Sequence, residues 1–496
     1  MTISKPELVM FDLNWVVEDT SNLSIHVQSF LSQFLQREGY DTTRDSYRLM
    51  QLSPTYGSAP TSEHYAFWRN LLSRVRGVRP KDVLFEEVDY LFREYLARYA
   101  PSSALYPDVV NLLRLLRKNG STVALATNGN ALRVHSFLAQ HDLYKLLDIV
   151  TISGELPQGK PSPTFFESVL SEARVMPWKA IMVGDRPDAD IAGADSCGIW
   201  TCQVSRPGCN RYVNAAVAEA PDFEINDLSS FSSIGLPDTP VATLNNVILL
   251  AGGKGARMGA SDVAKVLMDF GNGLNALEWH LRMWESFGVK RIVVVLGPGA
   301  KGVNEYLALR AKGNGEIVAI SANENGTARA LKLAEDYFTE DSIVAHADIL
   351  YEPRLVSRVV KCSLKFPGSA VLAICDGRVA PTHAALVLGT TGMAAKGFVF
   401  PEQKGDFAWS LPVSLGLTVL PRSCLRYMCS GGADDMVEHG VDRWKRDATE
   451  GVRTVRYSGE VCHIVYRDDL SSAARFTGAV CPQIENQISG AKFGTE

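Results

Sequence analysis

Six short apolar runs, at residues 122–126, 181–183, 247–251, 291–296, 343–345 and 370–374, recur along this chain with helically patterned stretches between them. Runs this short and this uniformly apolar belong to strands covered on both faces, and strands that alternate with helices assemble into parallel sheets with crossover connections. The expected fold class is therefore α/β. At 496 residues the chain is too long for one hydrophobic core, which predicts two domains. A content of 46% hydrophobic and 21% charged residues suits a soluble globular protein, and a net charge of -5 gives no electrostatic reason to bind nucleic acid. No apolar run approaches the roughly 18 residues that span a bilayer, so no membrane partner and a cytoplasmic location are expected. Nine cysteines without a CxxC pair read as reduced thiols rather than zinc ligands or disulfides.

Between Thr20 and Tyr106 the pattern changes to long amphipathic segments, with apolar residues three and four apart. That is a helical insert directly after the first strand. The Ser-, Pro- and Gly-rich stretch from Ser229 to Asn245 reads as a linker. The predicted organisation is a first domain at 1–232 with its insert at about 20–105, a linker at 233–244, a second domain at 245–476 and a polar tail at 477–496.

In the first half four pieces stand in order. Asp12 follows the apolar run Leu8 to Phe11; Thr127, Asn128 and Gly129 follow Val123 to Ala126; Lys160 lies between Gly159 and Pro161; Gly184, Asp185 and Asp190 follow Ile181 to Val183. Each alone reads as readily as a cap or turn residue. Together, over about residues 6 to 210, they resemble the haloacid dehalogenase-like (HAD) hydrolase superfamily, a Rossmann-like fold with the insert as its cap. The resemblance implies that Asp12 is the nucleophile, that Thr127, Asn128 and Lys160 bind the phosphoryl group, and that Asp12, Asp185 and Asp190 organise Mg²⁺. Such a set makes chemical sense, because a carboxylate attacking a phosphoryl group needs cations and donors to offset both charges.

One departure lies two residues past the nucleophile, where phosphatases of this superfamily carry a second Asp followed by Gly and Thr. This chain has Asn14, Trp15 and Val16. A carboxamide has no titratable proton, so general-acid assistance of about 10²–10⁴ in rate is expected to be missing. The phosphatase activity is expected to be impaired, and a phosphate-binding relic, a slow or specialised phosphatase and other chemistry all stay open for this half.

In the second half, Val247 to Ala251 leads into Gly252, Gly253, Lys254, Gly255, Ala256 and Arg257, and Lys265 follows eight residues after Arg257. A glycine-rich turn lets backbone N–H groups approach a triphosphate, Arg257 can clamp it bidentately, and Lys265 brings a point charge to the transferred phosphate. A surface turn with solvated basic residues is the alternative. Further along come a helix–turn–strand pattern from Leu277 to Gly297, a helix opening near Asn323 to Ala330, and a strand from Ser342 that ends at Asp348. This order resembles the sugar-1-phosphate nucleotidylyltransferases of the GT-A-like fold, which has a mixed sheet. The resemblance implies that Asp348 binds Mg²⁺, that Gly252, Gly253 and Gly255 hold the nucleotide, and that Gly326, Thr327 and Ala328 touch base and ribose. Ala264 stands where the family usually has Pro. The family's second metal ligand has no clear counterpart; Asp468 and Asp469 are candidates that read equally well as helix caps.

The function expected is transfer of a nucleotidyl group from a nucleoside triphosphate to a sugar 1-phosphate or a phosphocholine-like acceptor, with Asp12, Arg257 and Lys265 as catalytic groups. Phosphatase action as the main activity, or ligand binding without turnover, are the alternatives. His346 reads as a hydrogen-bonded core histidine, and Trp279, His280 and Trp284 as packing.

Overall fold

The computed structural model describes residues 3–19, 23–39, 68–70, 72–73, 76–99, 104–207, 220–237, 246–252, 263–298, 300, 302–310, 315–322, 326–338, 341–376, 385–388, 394–400, 411–428 and 435–491. The chain divides into two compact units, Thr2–Leu236 and Pro237–Glu496.

Six parallel strands carry the first unit: β1 (Leu8–Phe11), β2 (Thr122–Thr127), β3 (Ile149–Ile152), β4 (Ala180–Gly184), β5 (Trp200–Val204) and β6 (Phe223–Ile225). Their spatial order is β3-β2-β1-β4-β5-β6. Central β1 is paired on both sides, Leu8 lying opposite both Thr122 and Ala180, which is why all four of its residues are apolar and buried. Strand order reverses between β1 and β4, and the crevice at the carboxyl ends of such a pair is where open α/β sheets bind ligands. Asp12 and Asp185 are the residues that leave those two ends.

Of the expected insert, helices α1 (Leu23–Arg37) and α2 (Phe85–Tyr99) are described, while 40–67 lies outside the described residues. Phe30 packs edge-on against Trp68 and Tyr95, with ring centroids 5.8 and 5.4 Å away, and joins these elements through a small core of their own. Helix α3 (Val109–Lys118) buries Val109, Leu112, Leu113 and Leu116, a three- and four-residue spacing that presents one apolar stripe to the sheet. Each such side chain gains about 1.5–3 kcal/mol from burial. Helix α4 (Ala131–Gln140) is started by Asn130, whose side chain accepts a hydrogen bond from Arg133 N at 3.2 Å.

The second unit holds a nine-stranded mixed sheet. Its strands are β7 (Asn246–Leu250), β8 (Arg291–Leu296), β9 (Glu316–Ser321) and β10 (Asp341–His346), then, after the short β11 (Ile349–Tyr351), β12 (Ala370–Cys375), β13 (Ala385–Leu388), β14 (Ala395–Val399), β15 (Val413–Pro421) and β16 (Val452–Arg456). The order along the sheet is β9-β8-β7-β10-β15-β12-β16, with β13 joined to β15 and β14 to β13. Strand β15 runs antiparallel to both β10 and β12, and this makes the sheet mixed. Outside it, β11 pairs antiparallel with β17 (Val461–His463), placing Ile349 opposite His463. Helix α5 (Ala276–Ser286) buries Trp279, His280 and Trp284, the packing role expected of them. Helices α6 (Thr327–Leu333) and α7 (Val437–Asp447) follow, and α8 (Asp469–Ala491) runs past Phe476, where a tail was expected, with Thr477 and Val480 still buried.

Among the described residues no helix is long and apolar enough to cross a membrane, and Cys202, Cys375, Cys424 and Cys462 are free thiols.

Candidate active sites

Asp12, Asp185 and Asp190 are all buried in the first unit, and an oxygen of each lies within 4.8 Å of the others. Strand ends β1 and β4 supply Asp12 and Asp185, and the turn after β4 folds back to bring Asp190 against Gly184. A Cβ on Gly184 would fall 2.3 Å from that of Asp190, so only glycine lets the carboxylate sit there. Lys160 Nζ lies between two of the three, 2.6 Å from Asp12 Oδ1 and 2.5 Å from Asp190 Oδ1. Burial alone would lower the Lys160 pKa, yet Asp12 and Asp190 hold it above its ordinary value. For Asp190, burial outweighs the pull of Lys160 and raises the carboxyl, with Asp12 adding to the effect. One ammonium against three carboxylates leaves negative charge in excess, and hard oxygen donors at this spacing suit a divalent cation.

Asn128 positions the lysine. Its Nδ2 donates to Lys160 O and its Oδ1 accepts from Lys160 N, both at 2.8 Å. Thr127, the last residue of β2, has a fully buried hydroxyl with no hydrogen-bond partner in the structure. A buried donor at a strand end beside a carboxylate cluster fits a bound anion better than a packing role. The sequence-predicted residues of this half are thus brought together.

Around the departure from the family pattern lies a network that sequence reasoning missed. Asn14 Oδ1 accepts from Arg133 Nη2 at 2.7 Å, and Arg133 Nη1 pairs with Glu18 at 2.8 and 3.0 Å, both side chains being buried. Trp15 takes a left-handed backbone, φ 59°, at the position where the family has Gly. Arg206 fastens the same turn, donating to Trp15 O and Val16 O while bound by Asp108. Asp108 starts α3 and Arg133 lies in α4, so no local spacing signals either contact.

In the second unit Lys265 Nζ lies 2.5 Å from Asp348 Oδ2 and 2.8 Å from Ile464 O. His463 Nε2 is 3.7 Å from the same carboxylate oxygen. Burial would raise the Asp348 pKa, but His463, Lys265 and His346 together hold it far below the usual carboxylate range. His346 is half-buried at the end of β10 and faces this charge, which differs from the core role expected for it. Of the two acidic candidates for a second metal ligand, Asp469 accepts from the backbone of Val465 and Tyr466, and Asp468 is exposed. The β11–β17 ribbon, in which His463 lies opposite Ile349, is what brings the His463 ring toward Asp348.

Gly252, which leaves β7, approaches the backbone of Gly297 closely, and the remaining loop residues Gly253, Gly255 and Arg257 lie outside the described residues. Gly326, Thr327 and Ala328 open α6, but Thr327 Oγ1 accepts from Val437 N and Ala328 N donates to Asp435 O. Those two polar groups are engaged within the fold.

Comparison with known proteins divides at the same place. Residues 38–198 match the haloacid dehalogenase-like hydrolase family, and residues 247–426 match the MobA-like NTP transferase domain. The first half is similar to the glyceraldehyde 3-phosphate phosphatase of Methanopyrus kandleri, 28% identical over 44% of this chain and 92% of that protein. It is also similar to the ribulose-1,5-bisphosphate 5-phosphatase of Halopiger xanaduensis, 30% identical over 34% of this chain and 71% of the relative. Among solved structures, the inositol-1-phosphate CTP transferase of T. maritima aligns with 51% of this chain and 98% of its own, at 18% identity and a TM-score of 0.39. A HAD phosphatase from Thermococcus onnurineus aligns with 46% of this chain and 96% of its own, at 23% identity and a TM-score of 0.35. With the carboxylate–lysine cluster at the β1/β4 crevice and the phosphatase relatives of that half, the chain belongs to the haloacid dehalogenase-like hydrolases through its first half, while residues 247–426 of its second half are similar to the MobA-like NTP transferase domain.

Proposed function

We propose that the second unit joins a nucleoside triphosphate to a sugar 1-phosphate or a phosphocholine-like acceptor, releasing pyrophosphate, and that the first unit cleaves phosphoryl groups through Asp12. The observation that carries the transferase reading is the Lys265–Asp348 pair, in which Asp348 stands two residues past the carboxyl end of β10, the parallel neighbour of β7, and Lys265 also donates to Ile464 O. In-line attack of an acceptor phosphate oxygen on the α-phosphorus needs little covalent help from protein, so positioning and charge neutralisation dominate. Lys265 would offset charge on the transferred phosphate, Arg257 the departing pyrophosphate, and the Gly252 turn would admit the triphosphate close to backbone N–H groups. No group of three metal donors among the described residues includes Asp348, and no step is derived there through a metal.

In the first unit Mg²⁺ fits Asp12, Asp185 and Asp190, and when bound it would neutralise phosphoryl oxygens. Lys160 and the Thr127 hydroxyl would orient the phosphoryl group against Asp12, and Asn128 keeps Lys160 in place. A cytoplasmic setting agrees with these substrates.

Pyrophosphate release, measured with four nucleoside triphosphates against a panel of sugar phosphates and phosphocholine, tests the transferase reading. Turnover with at least one pair is expected, falling by about 10² or more in Lys265→Ala. A panel silent throughout would favour ligand binding without turnover.

A further inference from the structure

We infer that the hydrolase half is built for phosphate compounds whose leaving group departs as a stable anion, such as acyl phosphates, phosphoanhydrides and esters of acidic alcohols, rather than for alkyl phosphates. This rests on the hydrolase reading of Asp12 and adds a substrate class to it. The geometry around Asn14 carries the argument. Arginine has donors only, so the Asn14 atom facing Arg133 Nη2 at 2.7 Å is the amide oxygen. Arg133 cannot swing away to release it, because its other nitrogen is tied to Glu18 at 2.8 and 3.0 Å with both side chains buried. The other branch of Asn14 is consequently an NH₂, a group that donates a hydrogen bond and keeps its proton. The turn that bears Asn14 is fixed as well, by Arg206 on the carbonyls of Trp15 and Val16 and by Trp15 N on Glu18 O. Asn14 is thus locked in one orientation two residues from the nucleophile.

Lys160 Nζ is held between Asp12 and Asp190, with two of its three N–H groups engaged by those carboxylates. A fixed amide can steady a departing oxygen without protonating it. The reaction then runs as follows: an Asp12 oxygen bonds to phosphorus, the bond from phosphorus to the leaving oxygen breaks, and the leaving group keeps that electron pair as an anion. Water next attacks phosphorus, the bond to Asp12 breaks, and Asp12 returns as a carboxylate. Both protons of water end on the phosphate or in solvent. An alkoxide is too basic to leave this way, whereas a carboxylate, a phosphate or an acidic phenolate leaves without help.

The test is a leaving-group series on the full-length protein with Mg²⁺, following phosphate release from acetyl phosphate, pyrophosphate, 4-nitrophenyl phosphate, phenyl phosphate and glycerol phosphate, with Asp12→Asn as the control for this site. Expected is a steep fall in kcat/KM as the leaving group becomes more basic, by about 10² or more from 4-nitrophenyl to phenyl phosphate, with glycerol phosphate silent. Glycerol phosphate turned over within tenfold of 4-nitrophenyl phosphate, and lost in Asp12→Asn, overturns the inference while keeping the hydrolase. Silence across the whole series overturns the hydrolase reading itself, and this inference with it.

Discussion

His280 is enclosed on a helix face between Trp279 and Trp284 and hydrogen-bonded through Nε2 to Ile349 O at 3.0 Å. Burial is the main cause that pushes its pKa down to about 4, so it stays neutral in the folded protein well below the point at which a free imidazole charges. The unfolded chain binds a proton near pH 6.5, and the folded one resists until about 4. Between those values the unfolded state holds more protons, so stability rises with pH across the window and is complete above it. Lowering the pH from 7 to 4 should therefore cost the second unit on the order of 3 kcal/mol through this residue alone. His280→Gln, which keeps a donor for Ile349 O, should flatten that part of the slope. Urea midpoints at pH 7 and 4.5 for the two proteins check it; parallel slopes would mean that His280 is not the titrating group. Because Ile349 adjoins Asp348 and lies opposite His463, this neutral histidine also fixes the strand that follows that carboxylate.

At the scale of elements, the meeting of the β7 and β8 loops depends on two glycines. A Cβ on Gly297 would lie 2.2 Å from Gly252 O and 2.7 Å from its Cα, backbone atoms that cannot yield as a side-chain tip would. Since Leu250 and Val295 are locked in register just before, the displacement must be taken by the glycine-rich turn. Gly297→Ala is expected to cost about 1–3 kcal/mol and to weaken nucleotide binding more than Ala does at exposed Gly478, where an added Cβ meets nothing, which differential scanning and titration calorimetry would read. Equal effects at the two positions would sink the idea. Central strands such as β1, β7 and β10 were legible in the sequence because a strand covered on both faces must be apolar throughout. Strand β9 was not, since its Glu316 and Ser321 are exposed at the sheet edge and its pattern is broken. The carboxylates at strand ends were legible for the same reason as the strands. Arg133, Arg206 and His463 were not, because each reaches its partner through tertiary packing across about a hundred residues or more, and spacing along the chain carries no trace of that.

For the molecule as a whole, the two constellations share no residue: Asp12, Lys160, Asp185 and Asp190 all belong to Thr2–Leu236, and Lys265, Asp348 and His463 to Pro237–Glu496. Each is assembled around its own sheet. Two reactions on one chain should then be separable by single substitutions. Asp12→Asn is expected to abolish phosphate release from acetyl phosphate and to leave nucleotidyl transfer within about twofold of the original, because a carboxamide of the same shape still fills the space beside Lys160. Lys265→Ala is expected to do the reverse, cutting transfer by about 10² or more while phosphate release is unchanged. Both rates measured on each purified variant decide the matter. If either substitution lowered both activities in proportion, with the unfolding midpoint unmoved, the two halves would have to work as one catalyst, and the separate assignment of chemistry to each sheet would fail.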